Sequence, residues 1–185
     1  MQRSIDGIVR EIHVIRLPAK SAKHMNSIGN EFIARSRYHL VEDFLPKIER
    51  CIEKLSDEQT WWRPNQQSNS IGNLLLHLCG NARQWIVCGV GGAVDRRDRN
   101  AEFAQRDVIP REQLRSLLKK TLADVDLTLA QLEADGLLDR REIQGVDVSV
   151  LEAILHVVEH FSMHVGQILY ITKQLTAHDL HFYDL

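Results

Sequence analysis

The sequence predicts an all-α fold, a four-helix bundle, from three observations. Apolar residues recur three and four positions apart through long stretches of the 185-residue chain. Polar connectors that contain proline or glycine separate these stretches, and serine caps stand at several boundaries. One short extended pattern surrounds Gly145, and no further strand pattern supports a sheet. Long amphipathic helices joined by loops, without an internal repeat, are typical of a helical bundle.

The first helix is predicted between Ser27 and Leu55. Pro46 lies inside it, lacks a backbone donor and crowds the preceding turn, so we expect a kink near residues 42–45. Its apolar stripe consists of Phe32, Ile33, Val41, Phe44, Leu45, Ile48, Ile52 and Leu55.

The second helix is predicted from about Ser70 to Gly89. A capping box at Ser56 and Gln59 predicts a short helical turn before it, and the polar connector WWRPNQQSNS follows that turn. After the helix we expect a loop that extends to Ile109. Its mixed-charge run DRRDRN, residues 95–100, is interpreted as a solvated segment.

The third and fourth helices complete the prediction. Pro110 suits the start of the third helix because its missing donor is harmless there, and Asp135-Gly136 is expected to end it. Ser149 with Glu152 caps the fourth helix, which is expected to reach about Leu175.

These elements predict one domain, residues 25–175. Residues 1–24 are interpreted as a peripheral N-terminal tail, since Met25 directly precedes the first clear helical pattern. Residues 176–185 are expected to form a C-terminal tail, in which His178 and His181 are solvated.

Composition argues against several classes of protein. A formal net charge of -2 and a pI near 6.5 give no basic surface for phosphate backbones, so we expect no nucleic-acid partner. No apolar run has membrane-spanning length and no signal peptide is recognisable, so we expect no membrane association. The three cysteines form no CxxC pair, which predicts free thiols and a cytoplasmic location.

The fourth helix carries a ladder of histidines, His156, His160 and His164, spaced four residues apart. Helical periodicity places His164 within the apolar face, His160 at its edge and His156 further toward the polar side. Two imidazoles at positions i and i+4 can bind one divalent metal, although such pairs are also common as plain core residues. A third ligand would come from another helix, and His77 of helix two and His39 of helix one are the candidates.

The segments WWRPNQQSNSIGNLLLHLCGN and HVVEHFSMHVGQIL together resemble the DinB/YfiT-like family of four-helix bundles. The resemblance covers about Met25 to Leu175. It implies that His77, His160 and His164 bind a divalent metal, with Gly166 and Gln167 completing the HxxxHxGQ motif.

The resemblance also implies a chemistry. Family members include thiol-dependent transferases, and other members have been proposed to be hydrolases. We therefore expect a small-molecule substrate, a zinc, nickel or iron ion and a possible low-molecular-weight thiol. No residue is identifiable as a general base. The alternative is a non-catalytic metal-binding or structural bundle acting through a partner surface or a homodimer, with Leu76 and Val87 at the contact.

Several residues near the predicted ligands have two interpretations each. Asn81 and Gln167 could hydrogen-bond a ligand ring or have a purely structural role. Arg63 could contact an anionic substrate or be an ordinary surface charge. The three tryptophans, Trp61, Trp62 and Trp85, are expected to seal the end of the bundle more readily than to line a pocket. Cys79 and Cys88 are expected to behave as small hydrophobic residues.

Overall fold

The computed structural model describes residues 19–177, 179–180 and 182, with side chains from residue 26 onward, and this part of the chain is mostly helical. Helix α1 spans Ala19–Tyr38, so the last residues of the predicted N-terminal tail belong to a helix. Residues 1–18, His178 and His181 lie outside the described residues, and the predictions made for them stay untested.

The kink expected before Pro46 takes the form of a π-helical segment, His39–Phe44, between α1 and α2 (Leu45–Glu53). Pro46 is the second residue of α2, but the helical backbone is continuous with the preceding segment, so its missing donor removes one hydrogen bond from the helix. Its ring would crowd the carbonyl four residues earlier in a regular helix. The wider π turn, in which the Leu45 N–H donates to the Leu40 carbonyl, relieves that crowding without ending the helix.

The capping boxes predicted from serine are present. Ser56 and Gln59 cap the short helix α3 (Asp57–Thr60), and Ser149 and Glu152 cap helix α7 (Val150–Thr176). A further capping box, formed by Ser70 and Asn73, begins helix α4 (Ile71–Ala82). A second π-helical segment, Arg83–Val90, continues α4 to the end predicted for helix two.

The segment predicted as a long loop contains helix α5 (Arg99–Ala104), capped by the Asp98 side chain. The prediction of a loop was therefore wrong at these residues. Six residues with a single large apolar side chain are too few to give a helical period, so the sequence carried no periodic signal.

Helix α6 spans Arg111–Ala130, and a 3₁₀ helix at Ala134–Leu138 follows it. The third helix thus ends before the predicted stop at Asp135-Gly136. The extended pattern around Gly145 forms an antiparallel hairpin of β1 (Arg140–Ile143) and β2 (Val146–Ser149). Its turn residues, Gln144 and Gly145, have φ values of 56° and 75°, the left-handed conformation that two-residue hairpins require.

One hydrophobic core connects the long helices. Helix α4 packs against α6 and α7, and α7 also packs against α2. Phe161 of α7, Leu78 of α4 and Ile48 of α2 are fully buried within this core. The predicted C-terminal tail also contributes, since Leu180 is buried and Phe182 packs against the core. α4 and α7 are therefore held as rigid neighbours, and both carry predicted ligands.

The structure bears on two further expectations, the dimer contact at Leu76 and Val87 and the absence of membrane association. Leu76 and Val87 are half-buried and pack against the core of their own chain, which weakens the case for them as a contact surface. Dimerisation stays a prediction. None of the helices in the described ranges has the length and apolar character that crossing a membrane requires.

Candidate metal centre

Helices α4 and α7 bring His77, His160 and His164 together. The Nε2 atom of His160 lies 3.0 Å from Nε2 of His77 and 3.1 Å from Nε2 of His164. The ligand atoms of all three residues lie within 4.8 Å of one another, so the cluster could hold a metal ion. His77 and His164 are buried and His160 is half-buried.

The environment favours the uncharged form of His160 and His164. Burial, followed by the charges of the neighbouring histidines, lowers the pKa of His160 to about 3. Burial also lowers the pKa of His164, partly opposed by its hydrogen bond with Gln167. A neutral imidazole retains a lone pair, which is the form that binds a metal.

Gln167 orients one of the rings. Its Oε1 lies 2.7 Å from Nδ1 of His164, and a carbonyl oxygen can only accept a hydrogen bond. With Nδ1 donating to Gln167, the lone pair of His164 resides on Nε2 and points into the cluster. Of the two roles suggested for Gln167 from the sequence, the structure therefore shows the hydrogen bond to a histidine ring.

Two of the separations between ring nitrogens fit a tetrahedral metal ion. Two imidazole nitrogens at the usual zinc–nitrogen distance of about 2.0–2.1 Å would lie roughly 3.3 Å apart, close to the observed separations. Without a cation, each of these short Nε2–Nε2 contacts requires that one of its two rings carry a proton on Nε2. His160 Nδ1 is buried and has no hydrogen-bond partner among the described residues, so a metal bound at Nε2 would leave the Nδ1 proton without an acceptor among them.

Two residues behind His77 were not anticipated from the sequence. Oε2 of Glu102 lies 2.9 Å from Nδ1 of His77, and Nη2 of Arg97 lies 3.1 Å from the same atom. Arg97 also binds both oxygens of Glu102, with Nε donating to Oε1 at 2.7 Å and Nη2 donating to Oε2 at 2.9 Å. The Arg97 side chain is only 4% exposed, so this residue departs from the predicted solvated run DRRDRN, whose other five residues are exposed.

Comparison with known proteins assigns the chain to a family. The sequence profile of a family described as proteins of unknown function, DUF1572, matches residues 27–184. The chain belongs to this family. DUF1572 is grouped in the DinB/YfiT-like clan, which agrees at that level with the resemblance seen in the HxxxHxGQ motif. No curated protein matches the chain.

In this DUF1572 member, His156 lies outside the three-histidine cluster. Its Nε2 faces Nδ2 of Asn81 at 3.1 Å, and its ring packs on Trp85 with 4.0 Å between ring centroids. An imidazole nitrogen that accepts a hydrogen bond from an amide is not available as a ligand. His156 therefore supports the neighbouring ring of His160 and takes the boundary position that helical phase predicted.

His39, the competing candidate on the first helix, is also outside the cluster. It lies in the π-helical segment, where its Nδ1 is 3.6 Å from Oδ2 of Asp43, and it stacks on Phe44. The DUF1572 chain thus brings together the histidine of α4 and two histidines of α7.

The remaining predicted neighbours have mixed roles. Trp61 and Trp85 are buried, and Nε1 of Trp61 donates to the carbonyl of Ile109. Both observations agree with a role in closing the protein interior. Trp62 is exposed and lines a cleft of about 360 Å³. Nη1 of Arg63 is buried and has no hydrogen-bond partner among the described residues.

Proposed function

We propose that this chain is a metal-dependent enzyme that binds one divalent ion through His77, His160 and His164. The observation that carries the proposal is the grouping of three histidine nitrogens within 4.8 Å of one another, with Nε2 of His160 close to Nε2 of both neighbours, in an environment that lowers the pKa of His160 and His164. Three imidazoles without a carboxylate suit zinc, nickel or iron. Membership of the DinB/YfiT-like clan adds support.

We further propose that the fold is a four-helix bundle of the DinB/YfiT-like type. Its four members would be α1 with its continuation through α2, α4 with its π-helical continuation, α6 and α7. The single core shared by these elements supports this arrangement.

The donor set suggests the class of reaction. Neutral ligands leave the full charge on a bound divalent ion, which would supply a Lewis acid able to lower the pKa of water or of a thiol. The protein's own contribution is to hold the three rings in place and to exclude water from their outer nitrogens. Gln167 does this for His164, and the His156–Trp85 stack covers the flank of His160.

A thiol that takes part in the reaction would have to come from a separate molecule. All three cysteines are buried and unpaired. Burial raises the pKa of the Cys79 thiol to about 12, so this residue is not a thiolate at neutral pH. Water or a low-molecular-weight thiol is thus the nucleophile that we propose, corresponding to hydrolase or thiol-transferase chemistry in the cytoplasm.

A cleft beside the cluster supports a small-molecule substrate. Gln167, whose oxygen holds His164, also lines the cleft of about 360 Å³ that contains Trp62. None of the side chains lining it carries a formal charge; they are Trp62, Pro64, Gln67, Ser68, Asn69, Leu74, Gln167, Tyr170, Ile171 and Gln174. Its aromatic and amide groups suit an uncharged organic substrate.

The first experiment measures metal content in untagged protein by mass spectrometry. We expect about one divalent ion per chain in the wild type and nearly complete loss in His164→Ala, because two remaining imidazoles make a poor site. His39→Gln is the matched control, since it removes a helical histidine outside the cluster. Substoichiometric metal in the wild type, or equal metal content in all three proteins, would contradict the proposal.

A second experiment separates an enzyme from a non-catalytic bundle. Zinc-loaded protein is assayed for glutathione transfer to an electrophilic aryl chloride and for hydrolysis of aryl esters and amides. We expect turnover in one of these assays, with loss in His164→Ala and retention in His39→Gln. Stoichiometric metal without turnover in any assay would favour the non-catalytic alternative.

A further inference from the structure

The outer nitrogen of His77 faces a buried ion pair. Nδ1 lies 2.9 Å from Oε2 of Glu102 and 3.1 Å from Nη2 of Arg97, which in turn donates to that same carboxylate oxygen. One of these two neighbours must determine which ring nitrogen of His77 carries the proton. The choice matters because Nε2 of His77 points into the cluster.

The charge state of Glu102 favours a proton on Nδ1. Arg97 forms a two-point ion pair with Glu102, with Nε donating to Oε1 at 2.7 Å and Nη2 donating to Oε2 at 2.9 Å. Glu102 is therefore a carboxylate, which only accepts hydrogen bonds. With a proton on Nδ1, His77 and Nη2 of Arg97 both donate to Oε2, whereas a bare Nδ1 would set a lone pair against that carboxylate oxygen at 2.9 Å.

The other tautomer also has a partner. With its proton on Nε2, His77 could donate to Nε2 of His160 at 3.0 Å, and the ring would then be blocked as a ligand. The ring is thus placed between two hydrogen-bonding arrangements, only one of which leaves the cluster ready for a cation.

Helix α5 is fixed against α4, so the ion pair has a defined position. Nδ2 of Asn73, one turn before His77, donates to the carbonyls of Glu102 and Gln105 at 2.9 and 3.1 Å. Gly80 lies on the same side of α4, and a Cβ atom there would overlap the Glu102 carboxylate. The absence of a side chain at this position lets the carboxylate approach the helix.

We propose that Glu102 and Arg97 are positioning residues that hold His77 in the tautomer with its proton on Nδ1, leaving Nε2 free to bind the metal. Arg97 acts through Glu102, because its two hydrogen bonds fix both carboxylate oxygens. The part of this proposal that concerns metal affinity rests on the proposed function, whereas the tautomer itself can be observed in metal-free protein.

The test uses Glu102→Gln, with Glu112→Gln as a matched control at an exposed position of α6. The uncharged amide keeps the shape of Glu102 but can present its NH₂ group to Nδ1, which would place the proton on Nε2. Nitrogen-15 chemical shifts of the imidazole report which nitrogen is protonated in the metal-free proteins. A zinc competition titration then measures affinity in each folded variant.

We expect Nδ1 of His77 to carry the proton in the wild type and in Glu112→Gln, and a substantial Nε2–H population in Glu102→Gln. Zinc affinity should fall about 10- to 100-fold in Glu102→Gln only, the usual effect of losing a residue that orients a metal-binding histidine. A change of stability alone would not move the tautomer.

Three outcomes would overturn the proposal. These are an Nε2–H tautomer in wild-type His77, an unchanged tautomer in Glu102→Gln, or equal zinc affinity in both variants. The wild-type spectrum is decisive even if Glu102→Gln fails to fold. If the wild type shows the expected tautomer but does not bind zinc, the proposed function fails while the positioning of His77 stands.

Discussion

The two sides of the histidine cluster differ in how the sequence encodes them. On the α7 side, His160, His164 and Gln167 lie within eight residues of one helix, and the helical period alone makes them neighbours. On the α4 side, His77 depends on Glu102, which is 25 positions away in a different helix. One side is local in sequence, and the other depends on tertiary packing. The following predictions test this difference, from the largest expected effect to the smallest.

Among the changes that leave the three histidines intact, Gly80→Ala should have the largest effect, because it targets the side formed by tertiary packing. Its Cβ would overlap the Glu102 carboxylate, which Arg97 and His77 hold in place. We expect a loss of about 1–3 kcal/mol in the free energy of unfolding from overpacking. Zinc affinity should fall about 10- to 100-fold as Glu102 leaves His77. Urea unfolding and zinc titration measure the two effects.

Gly166→Ala is the matched substitution on the local side. Gly166 is exposed in α7, and a Cβ there meets no atom of the described residues within 4 Å. Alanine should therefore raise the free energy of unfolding by up to about 1 kcal/mol, through its higher helix propensity, and leave zinc affinity unchanged. If Gly80→Ala and Gly166→Ala changed zinc affinity and stability equally, the proposed difference between the α4 side and the α7 side would be contradicted.

Acid should destabilise the metal-free protein through His160. Its pKa is about 3 in the folded chain, whereas an imidazole in an unfolded chain titrates near 6.5. Between these values the unfolded state binds more protons, so stability falls as the pH is lowered through that window. Urea unfolding at pH 7.5 and 5.0 should show a larger loss in the wild type than in His160→Gln. Equal losses would show that burial of this imidazole does not contribute.

Gln167→Ala should have a smaller effect on metal binding than loss of a ligand. The substitution removes the acceptor that orients His164, and we expect about a tenfold loss of zinc affinity. Gln174→Ala, on the same helix and lining the same cleft, is the control and should leave affinity unchanged. Zinc competition titration compares the two variants, and equal affinities would remove Gln167 from the site.

Among the histidines of the ladder, His156 is expected to contribute least to metal binding, and His156→Gln tests this. His156 bonds with Asn81 and packs on Trp85, and neither contact places its Nε2 in the cluster. Metal content should stay near that of the wild type, with a loss of stability of about 1 kcal/mol or less from the changed packing. Loss of metal comparable to that of His164→Ala would mean that all three histidines of the ladder share the ion.

The contrast between the two sides also explains what the sequence could predict. Periodicity and serine caps were sufficient for α7, because its boundaries and its inward face depend on residues within a few positions. The same local rules located the irregular turn before Pro46, although they could not specify its π-helical geometry.

The missed features depend on contacts between distant parts of the chain. Arg97 lies in a run of charges that normally faces solvent, and only the docking of α5 on Asn73 and Gly80 buries it against Glu102. A capping aspartate at position 98 was the one local signal that could have revealed α5. The choice of His77 over His39 likewise came from the family motif, since spacing alone left both open.

The most direct test of the central claim is a crystal structure of zinc-loaded protein, with diffraction data collected on both sides of the zinc absorption edge. A single zinc ion about 2.0–2.1 Å from Nε2 of His77, His160 and His164 is the predicted result. An ion bound elsewhere, or one that contacts fewer than three of these imidazoles, would contradict it.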